Sequence, residues 1–236
     1  MIIAIDGPAG SGKSTLAKNL ARALGWIYLD TGAMYRALAL QAQRMGIEPD
    51  DVERLSGLAQ QIVLELRREA DGEQRIHLNG EDITHAIRTP TISDLASRIS
   101  VHKGVRNAMV AKQRALALQG SGLVAEGRDT TTVVFPNADL KIYLTASPEE
   151  RARRHHHQLQ LQGIEVPYEQ VLREIQERDQ RDRMRAESPL MEAPDAVRIV
   201  NDGWTKEQTL AYALELCRQR LGLTTPESLY GRSTTP

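Results

Sequence analysis

The sequence predicts an α/β fold, a parallel sheet with helices on both faces, and three observations lead there. Short β-branched apolar runs alternate with stretches of helical periodicity along most of the chain. The first run passes directly into a glycine-rich turn and then a helix, "MIIAIDGPAGSGKSTLAKNLARALG". Each later run is followed by polar or turn residues, and such strand ends are where open α/β sheets bind ligands.

Taken in order, Ile2 to Asp6 reads as a buried strand stopped by Gly7 and Pro8. From Lys13 onward Leu16, Leu20 and Leu24 recur every four positions, and Gly25 follows where a helix end favours a left-handed residue. "WIYLD" (26–30) is a second strand, and "TGAMYRALALQAQRMG" (31–46) a helix with Thr31 near its start and Gly46 just past its end. "LVAE" (123–126), "LKIYL" (140–144) and "VRIV" (197–200) complete a set of five. The stretch 62–84 departs from this pattern: two alternating runs flank Asp71-Gly72 and predict an antiparallel hairpin outside the main sheet. Ser147 as cap, Pro148 at the first helical position and Glu150 closing a capping box open a further helix. Charged helical sequence then continues to about Arg185, broken near Gly163 to Pro167. The tail beyond Gly222 has little to bury and is expected to be disordered.

Composition narrows the function. Thirty basic residues against thirty-one acidic leave a net charge of −1, which argues against a non-specific nucleic-acid binder. Of the thirty basic residues 24 are Arg and 6 are Lys, a skew that suits bidentate phosphate binding or reflects genome bias, so positions must decide. No apolar run has the eighteen or so residues of a membrane span, and no secretory signal pattern opens the chain. Cys217 is the single cysteine, so no internal disulfide is possible; a cytoplasmic setting is expected, and Cys217 itself reads as a small core hydrophobe. No patterned surface argues for a dimer, and a monomer without nucleic-acid or membrane partners is expected.

Gly7 to Ser14, "GPAGSGKS", fits G-x-x-x-x-G-K-[ST] between a strand and a helix, as its mechanism requires. Backbone amides of Gly7, Pro8, Ala9, Gly10, Ser11 and Gly12 wrap toward phosphate oxygens, Pro8 contributing chain direction only, and the following helix adds its positive end. Lys13 reaches the β- and γ-phosphates, the Ser14 hydroxyl can ligate Mg2+, and Ser14 and Thr15 complete the set of residues expected to bind ATP. Asp30 and Glu126, at strand ends beside the loop, are further candidates for Mg2+ or its waters, although carboxylates there also serve as caps. The chain lacks the N-K-x-D guanine motif and is short for an ATPase machine, which leaves a small phosphotransferase with a second substrate.

Arginines stand where that substrate would lie. "DTGAMYR" places Arg36 in the first turns of the second helix, and "EGRD" places Arg128 and Asp129 past the third strand. In "EIQERDQRDRMR", Arg178, Asp182 and Arg185 fall at i, i+4 and i+7, forming either a surface ion-pair row or one face of a mobile lid. "HHH" at 155–157 points in three directions and reads as solvated surface rather than a metal site.

These segments, with "GEDITHAIRTPTISDLASRIS", "EGRDTTTVVFPNADLKIYLTAS" and "ERARR", resemble the bacterial cytidylate kinases, an adenylate-kinase-like family of nucleoside monophosphate kinases. The resemblance implies a P-loop nucleoside triphosphate hydrolase-type five-stranded parallel sheet, a monophosphate-binding insert with a small antiparallel sheet, and a helical lid. It implies one kinase domain over residues 1–222: core 1–34, 106–150 and 186–222, monophosphate-binding region 35–105, lid 151–185, with 223–236 as the tail. ATP and CMP or dCMP are the substrates it implies. Arg36 and Arg128 would then hold the CMP phosphate, with Thr31 also at the CMP site. Ser97, Arg106 and Asp129 would face the cytosine. Arg178 and Asp182 would hold the sugar with Arg185 assisting, and Arg154 with neighbouring lid arginines would cover the ATP phosphates. Lys13, Arg128, Arg178 and Arg185 would form the catalytic set. One departure stands out: the family pattern has glycine where this chain has Thr131, so Thr131 is expected to be strained if that position needs positive φ.

Overall fold

The buried apolar runs become strands at the expected places. In this computed structural model, residues 1–68, 73–118 and 122–223 are described. In chain order the elements are β1 (Ile2–Asp6), α1 (Lys13–Leu24), β2 (Ile27–Asp30), α2 (Thr31–Arg44), α3 (Val52–Gln61), β3 (Leu64–Arg68), β4 (Gln74–Leu78), β5 (Glu81–Asp82) and α4 (Pro90–Ile99). There follow α5 (Lys103–Ala117), β6 (Leu123–Gly127), β7 (Leu140–Thr145), α6 (Pro148–Leu161), α7 (Tyr168–Met184), β8 (Val197–Val200) and α8 (Lys206–Leu221). The described residues divide into two units, one of residues 1–29, 122–184 and 189–223, the other of 30–68, 73–118 and 185–188.

The first unit is built on a five-stranded sheet in the order β2-β6-β1-β7-β8. β1 runs parallel to both β6 and β7, and β7 parallel to β8, so the predicted parallel sheet is present. One face of it is apolar by period-two alternation: Ile3, Ile5, Val124, Ile142, Leu144 and Ile199 meet Leu16 and Leu20 of α1 and Ala213, Leu214 and Cys217 of α8. Cys217 is therefore a core residue, and burial pushes its thiol up to about 12. α6 and α7 make a helical hairpin turning at Gly163 (φ +73°), with Ala152, Val171 and Ile175 at its centre.

The second unit packs α2 on α4 and α3 on α5, beside a three-stranded antiparallel sheet β3-β4-β5. The strands of the expected hairpin are present; its Asp71-Gly72 turn and the tail beyond residue 223 lie outside the described residues.

α2 begins at Thr31 as expected, with Asp30 as its cap, the carboxylate accepting from the Ala33 amide at 2.8 Å. Local chemistry departs from expectation at two other helix ends. Ser147 caps α6 through the Glu150 amide, but the Glu150 carboxylate turns to Arg153 and Arg154, whose guanidiniums give charge-assisted bonds stronger than a return to the cap. α7 stops at Met184, which takes Arg185 off the helix and into the second unit. The reciprocal capping box occurs instead at α8, between Thr205 and Gln208.

Gly122, just before β6, lies against Trp26: a Cβ there would sit 2.2 Å from the indole ring. Gly122→Ala is expected to lower stability by about 1–3 kcal/mol through overpacking; a urea midpoint equal to the parent's would contradict that packing.

Candidate active site

Glycine chemistry shapes the loop between β1 and α1. Gly7 has φ +151°, and a Cβ there would fall 1.9 Å from the Leu144 carbonyl oxygen of β7, so no side chain fits. Gly10 (φ +75°) and Gly12 (φ +91°) take left-handed conformations that complete the wrap. α1 starts at Gly12 with no side-chain cap and no acidic residue in its first turn, leaving its amides and positive end for an anion.

Lys13 is buried within this wrap, and its Nζ donates to the Pro8 carbonyl at 2.8 Å. Burial, reinforced by the nearby charge of Arg128, lowers its pKa to about 7, against the opposing pull of Glu126 and Asp6. Ser14 Oγ donates to Glu126 Oε1 at 2.7 Å, and the Tyr28 hydroxyl lies 3.3 Å from the same oxygen. Asp30, the other carboxylate expected near Mg2+, caps α2 and pairs with Arg36.

On β6, Gly127 lies opposite Asp6 in the parallel register, so the phosphate loop and Arg128-Asp129 leave neighbouring strands at the same level. Arg128 Nε donates to Asp182 Oδ2 at 2.7 Å, which joins β6's end to α7. Burial alone would lower the Arg128 pKa, but Asp182, Glu126 and Asp6 outweigh it and raise the value. Arg178 on α7 is close enough to contribute to the field at Lys13. Asp129 is buried.

Thr131 is not strained. It has ordinary negative φ in a wide turn, Thr130–Val134, where the Phe135 amide reaches back to the Thr130 carbonyl at 2.8 Å. Its hydroxyl and its amide each donate to Asp6 Oδ2 at 2.6 Å, while the Thr130 amide donates to Asp6 Oδ1 at 2.9 Å. Burial raises the Asp6 pKa, and the Thr131 and Thr130 bonds oppose it. The side chain that replaces glycine thus helps to anchor the turn following Asp129.

Next to the loop, Asn201 and Arg151 are contacts that spacing did not reveal. Asn201, after β8, donates through Nδ2 to the Ser11 carbonyl at 3.2 Å and accepts from Arg154 Nη1 at 3.1 Å. Arg154 is also held by Glu150 and by the Asn201 carbonyl. Arg151 is almost wholly buried and donates to the Ala9 carbonyl, while Arg153 is exposed and paired with Glu150. His155 and His157 are exposed, and His156 meets the Tyr168 ring edge to face.

In the second unit each implied arginine has a defined support. Arg36 Nη2 bonds Asp30 Oδ2 at 2.7 Å, close beside Gly32. Arg106 is buried over the Tyr35 ring, donating to the Ser100 carbonyl and the Ser188 hydroxyl. Arg185 Nε donates to the Ser188 carbonyl at 2.6 Å. Ser188 itself has φ +51°, a strained non-glycine conformation between two arginine contacts. Ser97 is half-buried on α4, and Thr31 is buried at the start of α2.

A glycine-wrapped loop opening a helix, a lysine buried inside it, and an arginine-bearing segment on the adjacent strand define a P-loop phosphotransferase site. The family model described as Cytidylate kinase matches residues 3–219, and the chain belongs to that family. It is 48% identical to a cytidylate kinase of Solibacter usitatus over 94% of each chain. It is also 47% identical, over its full length, to a bifunctional pantoate ligase/cytidylate kinase of Synechococcus elongatus, of which it covers 45%. Among solved structures, an uncharacterized protein from Eubacterium ventriosum aligns with TM-score 0.51 at 13% identity, over 93% of this chain and 99% of that one, a likeness of fold alone.

Thr131→Val keeps the shape and removes one donor from a buried carboxylate, so a loss of about 1–3 kcal/mol is expected in chemical denaturation; an unchanged midpoint would refute the role of the hydroxyl. The depressed Lys13 value has its own consequence. A polyphosphate held against Lys13 would restore the ammonium, so such binding would take up a proton between pH about 7 and about 10. Calorimetry in buffers of differing ionisation enthalpy should show that uptake for the parent and none for Lys13→Met.

Proposed function

We propose that the protein transfers the γ-phosphoryl group of ATP to CMP or dCMP, giving CDP or dCDP, as a step of pyrimidine nucleotide metabolism. The observation that carries this reading is the shared level of the phosphate loop and Arg128-Asp129 on neighbouring strands, in a chain of the cytidylate kinase family. The loop amides and Lys13 take the ATP phosphates, with Arg154 over them. Family resemblance assigns the acceptor's phosphate to Arg36 and Arg128 with Thr31, the base to Ser97, Arg106 and Asp129, and the sugar to Arg178 and Asp182 with Arg185 assisting.

The attacking group is an acceptor phosphate oxygen, largely ionised at neutral pH because its second pKa is about 6. No general base is needed. Catalysis then consists of positioning and charge neutralisation by Lys13 and the arginines around a loose in-line transition state. The Arg128–Asp182 pair holds both side chains oriented until the acceptor replaces it.

Mg2+ fits the oxygen donors here. Among the described residues no group of three or more His, Cys, Asp or Glu could hold a metal alone. The adjacent Ser14 hydroxyl and Glu126 carboxylate provide the sparse oxygen set that Mg2+ uses when phosphates supply the remaining ligands. When bound, it would neutralise charge on the β- and γ-phosphates. Among the described residues no helix is long and apolar enough to cross a membrane. The free buried thiol of Cys217 suits a reducing cytoplasm.

With ATP as donor, CMP and dCMP should be turned over with higher kcat/KM than UMP or AMP; equal or better use of UMP or AMP would reject the reading. Lys13→Ala should lose at least about a hundredfold in kcat with an unchanged far-UV circular dichroism spectrum. Asp129 accepts from the cytosine N4 amine, whereas an amide in its place can donate to the uracil oxygen. Asp129→Asn should therefore move the CMP to UMP ratio toward UMP by about tenfold or more.

A further inference from the structure

We propose that Arg151 and Asp179 are positioning residues that set α7, and with it Arg178 and Asp182, relative to the phosphate loop. The proposal rests on the phosphotransfer reading above and adds two residues to it. Arg151 extends from α6 beneath the loop, and all three of its guanidinium nitrogens are engaged. Nε donates to the Ala146 carbonyl just past β7 at 3.0 Å, Nη1 to the Ala9 carbonyl at 2.9 Å, and Nη2 meets Asp179 Oδ2 at 2.6 Å. The approach is close, since a Cβ on Gly10 would come within 3.2 Å of Arg151 Cβ. One planar cation thus ties the end of β7, the loop backbone and α7 to each other.

Asp179 follows Arg178 directly and lies one turn before Asp182, so a rotation of α7 at Asp179 displaces both. Arg128 grips Asp182 one turn further along α7, so the helix is held by two arginine contacts, one under the loop and one at the end of β6. Stability alone does not account for the inner pair. Buried ion pairs recover their desolvation cost poorly, and Asp179 Oδ1 is buried with no hydrogen-bond partner among the described residues. What the pair supplies is geometry: a planar fork fixes distance and angle together, which a point-charge ammonium cannot do.

The test compares Arg151→Met, Asp179→Leu, the double variant and Arg151→Lys, all well below their melting temperatures. Each single apolar variant leaves its partner buried and unpaired and should lose stability, whereas the double variant should recover most of it. The proposal expects the refolded double variant and Arg151→Lys both to show kcat reduced tenfold or more, with the KM for ATP within about threefold of the parent. Parental kcat in either variant, or a double variant that cannot fold, would overturn it. The parent's turnover of CMP tests the phosphotransfer reading separately, and if that fails the variants are compared with the parent on the best acceptor of the panel.

Discussion

The passage of the chain past the Leu144 carbonyl at Gly7 is the constraint on which the site depends. A strand ending beside another strand's backbone leaves no volume for a Cβ, and the left-handed glycines that follow, Gly10 and Gly12, continue the turn into α1. The same wrap encloses Lys13. Enclosure puts two cations, Lys13 and Arg128, into one poorly solvated region, and their repulsion is offset by Asp6 and Glu126 at the ends of β1 and β6. The site thus holds its charges close to balance while presenting a positive loop to an anion.

The other implied groups are pre-oriented by neighbours of modest strength. Asp30 steadies Arg36, Ser100 and Ser188 steady Arg106, and Asp182 steadies Arg128. Long arginine side chains carry substantial rotamer entropy, and fixing them before a ligand arrives removes that cost from binding. The strain at Ser188 is consistent with this, because backbone in an unfavourable region persists where surrounding contacts determine it.

Sequence patterns disclosed the elements and the loop because their signals are local. The buried run Ile2–Asp6, the glycines and the four-residue leucine spacing of α1 all act within one or two turns. Errors arose where a residue had a competing partner or a boundary fell inside a motif. Arg185 is spaced to share a face with Arg178 and Asp182, yet α7 ends one residue earlier. Glu150 has capping-box spacing, but two arginines on its own helix outbid the cap amide. Thr131 was read through glycine's conformational freedom, whereas the turn needs none and the hydroxyl finds Asp6, distant in sequence. Asn201 and Ser11 are 190 positions apart, and no spacing rule reaches that far.

The central claim is that the backbone amides from Gly7 to Ser14, with Lys13, form the polyphosphate cradle. The most direct measurement is an amide proton–nitrogen NMR titration of the whole protein with ATP. The account predicts that the largest shifts fall on the non-proline residues of that loop and the first turn of α1. Saturable ATP binding that leaves those amides unmoved, with the shifts concentrated elsewhere, would contradict it.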